Sequence, residues 1–265
     1  MSILNRWAFD GYPLNRPGVR VRAMTGVLGL PPLRGADFLT PGVPGQLFVP
    51  KVPDSRRIGL EILVNEGEEA AVSDYLDTLA TLFGQRGQSP LAHFHPDGTM
   101  RTALAECCDW APQDGSQIGS LYVGVADFLL ADPFFYGPSV ADTAPISATP
   151  TTLTVTNRGT SQGPGPQGQL VLDYLGTGTI INPRFTNTTT GAWVEVDVTV
   201  AAGKHLIVDC VAITALNDGV NVIGNVTHSG QLQLMSLAPG ANVISVTAVP
   251  TPSGTLTVKH KDVYL

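Results

Sequence analysis

The stretch Trp193-Val194-Glu195-Val196-Asp197-Val198-Thr199-Val200 decides how the chain is read. Val194, Val196, Val198 and Val200 alternate with Glu195, Asp197 and Thr199. Successive side chains on a strand point to opposite faces, so this pattern makes one apolar and one polar face. Working outward, further strands are predicted at Thr152–Thr156, Gln169–Leu175, Thr179–Phe185, His205–Val211, Gly219–Ile223, Gln231–Met235, Asn242–Val249 and Thr255–Val263. Gly191, Gly203, Asn217-Asp218-Gly219 and Gly240 mark turns between them. No helical stripe interrupts the series, and the reading is an antiparallel β-sandwich.

The other half is mixed. Between Glu68 and Phe83, apolar residues fall at Val72, Tyr75, Leu76, Leu79, Leu82 and Phe83, the spacing of one face of a helix. Glu68 and Glu69 oppose the positive end of its dipole, and Gly84 provides the stop. Burying that stripe contributes roughly 10 kcal/mol gross. It needs a sheet to lie on, and strands around Ile58–Val64, Thr99–Cys107 and Ile118–Leu130 supply one. The fold class is therefore mainly β: an α+β N-terminal domain with one helix on an antiparallel sheet, then the sandwich.

From Gly26 to Pro53 the chain carries Pro31-Pro32, Pro41, Pro44, Pro50 and Pro53. Proline cannot donate to a ladder, so this is a long excursion with short extended pieces. Its apolar residues are Val27, Leu28, Leu30, Phe38, Leu39, Leu47 and Phe48, candidates for an arm that reaches a neighbouring subunit. Asp132-Pro133-Phe134-Phe135-Tyr136-Gly137-Pro138 punctuates the middle, and Ser139–Thr152 has a linker composition. This places the domains at 1–137 and 138–265.

Composition narrows the function classes. Of 265 residues, 43% are hydrophobic and only 14% charged, against about 25% charged in an average globular protein. Such a chain buries a full core. Its low charge suits a surface partly covered by partners. The formal net charge of −7 and the absence of a basic stripe argue against nucleic-acid binding as a main task. Met1 to Arg6 lacks the blocks of a signal peptide, and no apolar run approaches the ~18 residues of a membrane span. The expected product is soluble and made in a cytoplasm.

Candidate chemistry is sparse. His93-Phe94-His95 and Cys107-Cys108 have zinc-ligand residue types, but adjacent cysteines point to opposite faces of a strand, and loop histidines with core thiols are the favoured reading. Cys107, Cys108 and Cys210 are odd in number and read as buried free thiols. No nucleophile elbow, phosphate loop or His-Glu-x-x-His pair is present. Pro164 and Pro166 delete donors from the Gly163–Pro166 loop. Asp173, Glu195 and Asp197 read as a solvated strand face rather than a glycosidase pair. Asn187-Thr188-Thr189 and Asn225-Val226-Thr227 match glycosylation sequons and are read as turn and strand residues. Trp193, with Tyr174 and Phe185, either plugs the core or forms a sugar-stacking platform. Neither an enzyme nor a cofactor is expected.

Four stretches now carry a resemblance: Asn157-Arg158-Gly159-Thr160; Thr179 to Gly191 with Ile181-Asn182-Pro183 and Phe185-Thr186-Asn187; Gly203 to Asp209; and Leu237-Ala238-Pro239-Gly240-Ala241-Asn242-Val243-Ile244. In this order they resemble the C-terminal sandwich of siphophage distal tail proteins, also called minor tail proteins. The first half matches more loosely, through Arg57–Val64, the single helix and the Asp132-Pro133-Phe134 turn. The resemblance implies a structural protein of the virion tail tip, assembled in the host bacterial cytoplasm. N-terminal domains of that family form a hexameric ring that joins the tail tube protein to the tail hub and lets DNA pass without specific binding. The outer sandwich resembles a galectin or carbohydrate-binding module and docks receptor-binding proteins in some members. No membrane is implied. The sandwich lacks an aromatic ligand strip, which speaks against sugar binding. The competing reading is a lectin-like carbohydrate-binding module engaged in host-surface attachment, centred on Trp193.

Overall fold

The computed structural model describes residues 6–27, 29–38, 44, 48–112, 120–147, 151–227, 232 and 234–265. It is mainly β, with one α-helix among the described residues. The chain divides into two compact units, Met1–Phe135 with Leu265, and Tyr136–Tyr264.

In the first unit, β1 (Arg6–Phe9), β2 (Tyr12–Pro13), β3 (Val19–Thr25), β6 (Arg56–Asn65), β7 (Ser89–Phe94), β8 (Met100–Pro112) and β9 (Leu121–Leu130) are all antiparallel to their neighbours. The short strands β4 (Leu33–Arg34) and β5 (Val52–Pro53) form a two-stranded sheet among the described residues. Strand β8 pairs with β7 through Met100–Ala105 and with β9 through Glu106–Pro112. A register shift between Cys107 and Asp109 falls where the strand changes partner, as expected of a bulge that re-aims a long strand.

Helix α1 spans Glu69–Phe83, between Glu68 and Gly84, and buries Val72, Tyr75, Leu79, Leu82 and Phe83. Leu76, at the margin of the stripe, is half-buried. Gly84 ends the helix in a right-handed conformation, so the stop does not use its left-handed freedom. Phe83 meets the sheet edge-on, with ring centroids 5.5 Å from Phe128, 5.9 Å from Phe9 and 5.4 Å from Trp110. Ile58, Leu60, Ile62 and Val64 of β6 form the apolar floor of this unit. Gly59 and Glu61 on its other side are buried too, so β6 is covered on both faces.

The second unit is a β-sandwich. One sheet runs β18 (Val220–Asn221), β17 (Thr214–Asn217), β16 (His205–Asp209), β12 (Leu170–Gly176), β21 (Gly254–Tyr264), β10 (Phe135–Ile146). The other runs β11 (Thr151–Asn157), β20 (Gly240–Val249), β13 (Ile180–Asn187), β14 (Trp193–Val196), β19 (Val226–Thr227), with β15 (Thr199–Val200) on β13. Leu172, Tyr174, Val208 and Val258 of the first sheet share one core with Val155, Phe185, Val194 and Val246 of the second. Strict alternation of buried and partly exposed residues along β12 and β14 places one face of each strand in that core.

Several expectations need correction. The Ser139–Thr152 linker is not a linker: β10 runs through Phe135–Ile146. Exposed Ser, Thr and Ala suit the outward face of a strand as well as a linker, and composition cannot separate the two. The Trp193–Val200 strand breaks into β14 and β15, because Asp197 and Val198 leave the ladder and the Val198 N–H closes on the Val196 carbonyl at 2.9 Å. Strand β17 went unpredicted. The Asp218-Gly219 turn that joins it to β18 has both residues at positive φ, 51° and 81°, the geometry of a two-residue hairpin. The strand expected over Gln231–Met235 is absent at Leu232, Leu234 and Met235, while Gln231 and Gln233 lie outside the described residues. Of the three thiols, only Cys210 is buried; Cys107 is half-buried and Cys108 exposed at the β8 bulge.

Candidate interaction surface

The Pro-rich excursion leaves β3 at Gly26. Its φ of +77° and the 1.9 Å that a Cβ would leave to the Arg57 carbonyl oxygen exclude any other residue there without backbone movement. Beyond it, Leu33 pairs with Pro53 and Arg34 with Val52, and the Asp54 N–H donates to the Pro32 carbonyl at 2.7 Å. Farther out, the Asp37 carboxylate accepts from the Val49 N–H and from Lys51 Nζ, both at 3.2 Å. These bonds, the Val49 N–H first, hold the Asp37 carboxyl below the usual carboxylate range. The excursion is thus a hairpin-like arm tied by a few polar contacts.

Arg56 secures its root. This side chain is buried, and its guanidinium donates to the carbonyls of Gly29 in the arm and of Pro133 in the Asp132-Pro133-Phe134 turn. Burial lowers its pKa from the ordinary arginine value. An open cleft of about 420 Å³ lies beside it, lined by Leu30, Pro31, Pro32, Asp54, Arg56 and Arg57 among others.

Among the described residues of the arm, five large apolar side chains face outward. Leu30 is 77% exposed, Phe38 63% and Phe48 74%, with Leu33 and Val52 also exposed. Val27 is half-buried at the root. Leu28, Leu39 and Leu47 lie outside the described residues. Large apolar groups concentrated on one projecting segment are the mark of a surface that another molecule covers.

The other candidates separate. Tyr174 and Phe185 are core residues and offer no ligand platform. Trp193 lies outside that core, half-buried, with the Arg184 guanidinium 3.8 Å above its ring. Asp173 sits on β12 between His205 Nδ1 at 2.8 Å and Lys259 Nζ at 3.6 Å, whereas Glu195 belongs to the other sheet. Among the described residues no three metal-ligating side chains converge. His93 stacks on Trp7, with ring centroids 4.3 Å apart. The Cys210 thiol is pushed up to about 12 by burial.

Three of the quoted motifs each bury an asparagine that bonds the chain around Ser236–Gly240. Asn157 Nδ2 donates to the carbonyls of Ser161 and Leu237, Asn187 Nδ2 to those of Ser236 and to Asn242 Oδ1, and Asn242 Nδ2 to Ala238 and Gly240. All three asparagines are buried. Gly159 completes the arrangement, since a Cβ there would lie 2.0 Å from the Val263 carbonyl oxygen. Sequence reading quoted these residues within their motifs and missed that Asn187 and Asn242 meet; an asparagine in each of three separated motifs was the available signal. It also missed Arg56.

The fold has a solved counterpart. The Dit protein (gp 19.1) of SPP1, a paradigm of the hub adsorption apparatus in Gram-positive infecting phages, superposes with a TM-score of 0.71. The alignment covers 99% of this chain and 100% of that one, at 16% sequence identity. The chain has the Dit fold. Two structures of the phage P2 baseplate in its activated conformation, with Ca and with Sr, align over 97% of this chain and 98% of theirs at 8% and 7% identity. Their TM-scores of 0.44 carry no argument. No family model matches the sequence, and no curated protein does. At these identities the likeness to Dit establishes the fold, and function has to be argued from surfaces.

Proposed function

We propose that the chain is a structural protein at the distal end of the tail of a long-tailed bacteriophage. In this reading the Met1–Phe135 unit closes with its copies into a hexameric ring that links the tail tube to the tip hub. DNA leaves through the lumen, and the Tyr136–Tyr264 sandwich faces outward to carry adsorption proteins. The observation that carries the proposal is the end-to-end coincidence with Dit, which spans both units and leaves neither chain with an unmatched domain. The exposed Leu30, Phe38 and Phe48 support it, because a ring built from head-to-tail contacts needs an apolar element that projects onto a neighbour. The acidic net charge is compatible with a lumen that does not retain DNA.

Sedimentation velocity and electron microscopy of the purified chain test the proposal. The expected result is annular particles of about six copies, which revert to single chains when residues 27–48 are deleted. A lone globule at high concentration, with no annular particles, rejects it. The carbohydrate-binding alternative is not favoured, since Arg184 covers one face of the half-buried Trp193 ring and Tyr174 and Phe185 lie in the core.

A further inference from the structure

Helix α1 packs on the face of β9 that carries Phe128. Side chains alternate along a strand, so Leu121, Val123, Val125, Asp127 and Leu129 of β9 share the opposite face, each half-buried. Leu63 of β6 stands beside Val123 on that face and is also half-buried. An antiparallel sheet with a solvated face ordinarily turns polar residues towards water. Of the five that β9 turns away from the helix, four are apolar, which suits a face that another molecule covers.

Its charges are not balanced within the chain. Asp109 of β8 and Asp127 of β9 stand directly opposite each other, where like charges repel. Neither carboxylate has an ion-pair partner among the described residues. Arg22 is committed to Glu61, while Arg20 and Arg57 stand opposite Leu63 and Leu129. The arm has the complementary character. Leu30, Leu33, Phe38, Phe48 and Val52 are exposed on it, so a chain's arm does not cover its own sheet. Of the arm's three charges, Asp37 and Lys51 pair with each other. That leaves Arg34, exposed on β4 and without an ion pair among the described residues. Doubled back on itself, the Val27–Pro53 excursion reaches roughly 40 Å, enough to run along β9, whose 10 residues span about 33 Å.

We propose that this face of the sheet seats the arm of a second copy of the chain. Leu33, Phe38 and Phe48 of one copy pack on Val123, Val125 and Leu129 of the next, and Arg34 offsets the Asp109–Asp127 pair. The inference rests on the ring reading above and adds to it the surface that the arm meets. Arm and seat are different surfaces of one chain, so the contact is heterologous and passes from copy to copy until a ring closes.

The test places the photo-cross-linking residue p-benzoylphenylalanine at position 38 or 48 of the full chain. Each variant is mixed with its own isotope-labelled copy, so that mass spectrometry separates cross-links between chains from those within one. The expected cross-links between chains fall on residues 57–63 and 121–129. Two charge reversals give a second readout by sedimentation. Asp109→Lys removes a like-charge contact, so the urea midpoint of the isolated chain holds or rises. The same change raises several-fold the concentration at which rings form, and so does Arg34→Glu. Rings whose cross-links fall on another surface overturn the seat and leave the ring reading standing, as do rings indifferent to both reversals. The absence of both rings and cross-links between chains removes the seat together with the ring reading.

Discussion

Asn187 and Asn242 meet inside the sandwich: the Nδ2 of Asn187 donates to the Oδ1 of Asn242 at 3.1 Å, with both side chains shut off from solvent. Asn242 also accepts from the Ala238 N–H and donates to the carbonyls of Ala238 and Gly240. One amide therefore replaces the solvent for an entire loop. Asn242→Leu keeps the volume and strands every one of those groups. The expected cost is roughly 3 kcal/mol, because unmade buried hydrogen bonds forfeit their desolvation energy. Urea unfolding checks it: the midpoint falls at unchanged slope. A shift under about 0.5 kcal/mol, the size of a surface substitution, would show that water fills the gap.

Arg56 is the corresponding anchor of the arm. Arg56→Met retains the packing of the stem but abandons the Gly29 and Pro133 carbonyls. A buried group that loses a charged partner costs about 2–4 kcal/mol. The loss is local in the first instance, so amide exchange across the arm root accelerates before the helix loosens. Hydrogen exchange resolved by mass spectrometry reads this directly, and uniform protection of residues 29–34 in the variant would count against the anchor.

His93 gives the first unit an acid-sensitive margin. Its folded pKa, about 4, lies below the 6.5 of an unfolded histidine. Between those values the unfolded chain binds the extra proton, so stability rises with pH. The contribution is complete above about 6.5, declines as pH falls and is gone below about 4. Partial exposure limits its size to the order of 2 kcal/mol. Asp97 acts in a lower window: its carboxyl, held down to about 2 by Thr99, loses its contribution only as pH falls from about 4 towards 2. In chloride buffers, denaturant midpoints between pH 6.5 and 4 should slope in the wild type and flatten in His93→Gln. A parallel slope in both places the acid sensitivity elsewhere.

The thiols separate by environment. Cys108 is exposed, whereas Cys210 is buried and Cys107 has its thiol pushed up to about 12, chiefly by burial. Only thiolates alkylate readily. Iodoacetamide at pH 8 should label Cys108 quantitatively and leave Cys210 untouched until the chain unfolds. Peptide mapping decides, and early labelling of Cys210 would mean that the sandwich opens below its global unfolding.

How much of this was legible in the sequence follows from what each pattern encodes. Helix α1 could be read because a single stripe from Val72 to Phe83 satisfies one period and one partner surface. Strands β12, β13 and β20 could be read for the same reason at period two. Strand β10 could not, since its Ser, Thr, Ala and Pro residues state only that its face is exposed. The break at Asp197-Val198 was equally hidden: alternation continues through Val200 although the ladder does not. The arm's outward apolar residues were visible as composition. Which of them face solvent depends on Gly26, Arg56 and the Asp37 bonds, none of which forms a local pattern.

The arm supplies the last prediction. Phe38 and Phe48 are already wet in the single chain, so charging them costs the fold little; exposed substitutions fall within about 0.5 kcal/mol. If they are covered in the assembly, each buried phenyl contributes about 1.5–3 kcal/mol per contact, and an aspartate there would have to be desolvated without a partner. Phe38→Asp with Phe48→Asp should therefore leave the urea midpoint of the isolated chain unchanged and move the sedimenting species from ring to monomer at micromolar concentration. Phe38→Leu with Phe48→Leu, which stays apolar, should still assemble, with weaker closure. Rings that persist with both aspartates in place would show that the arm projects into solvent and that copies meet through another face of the first unit.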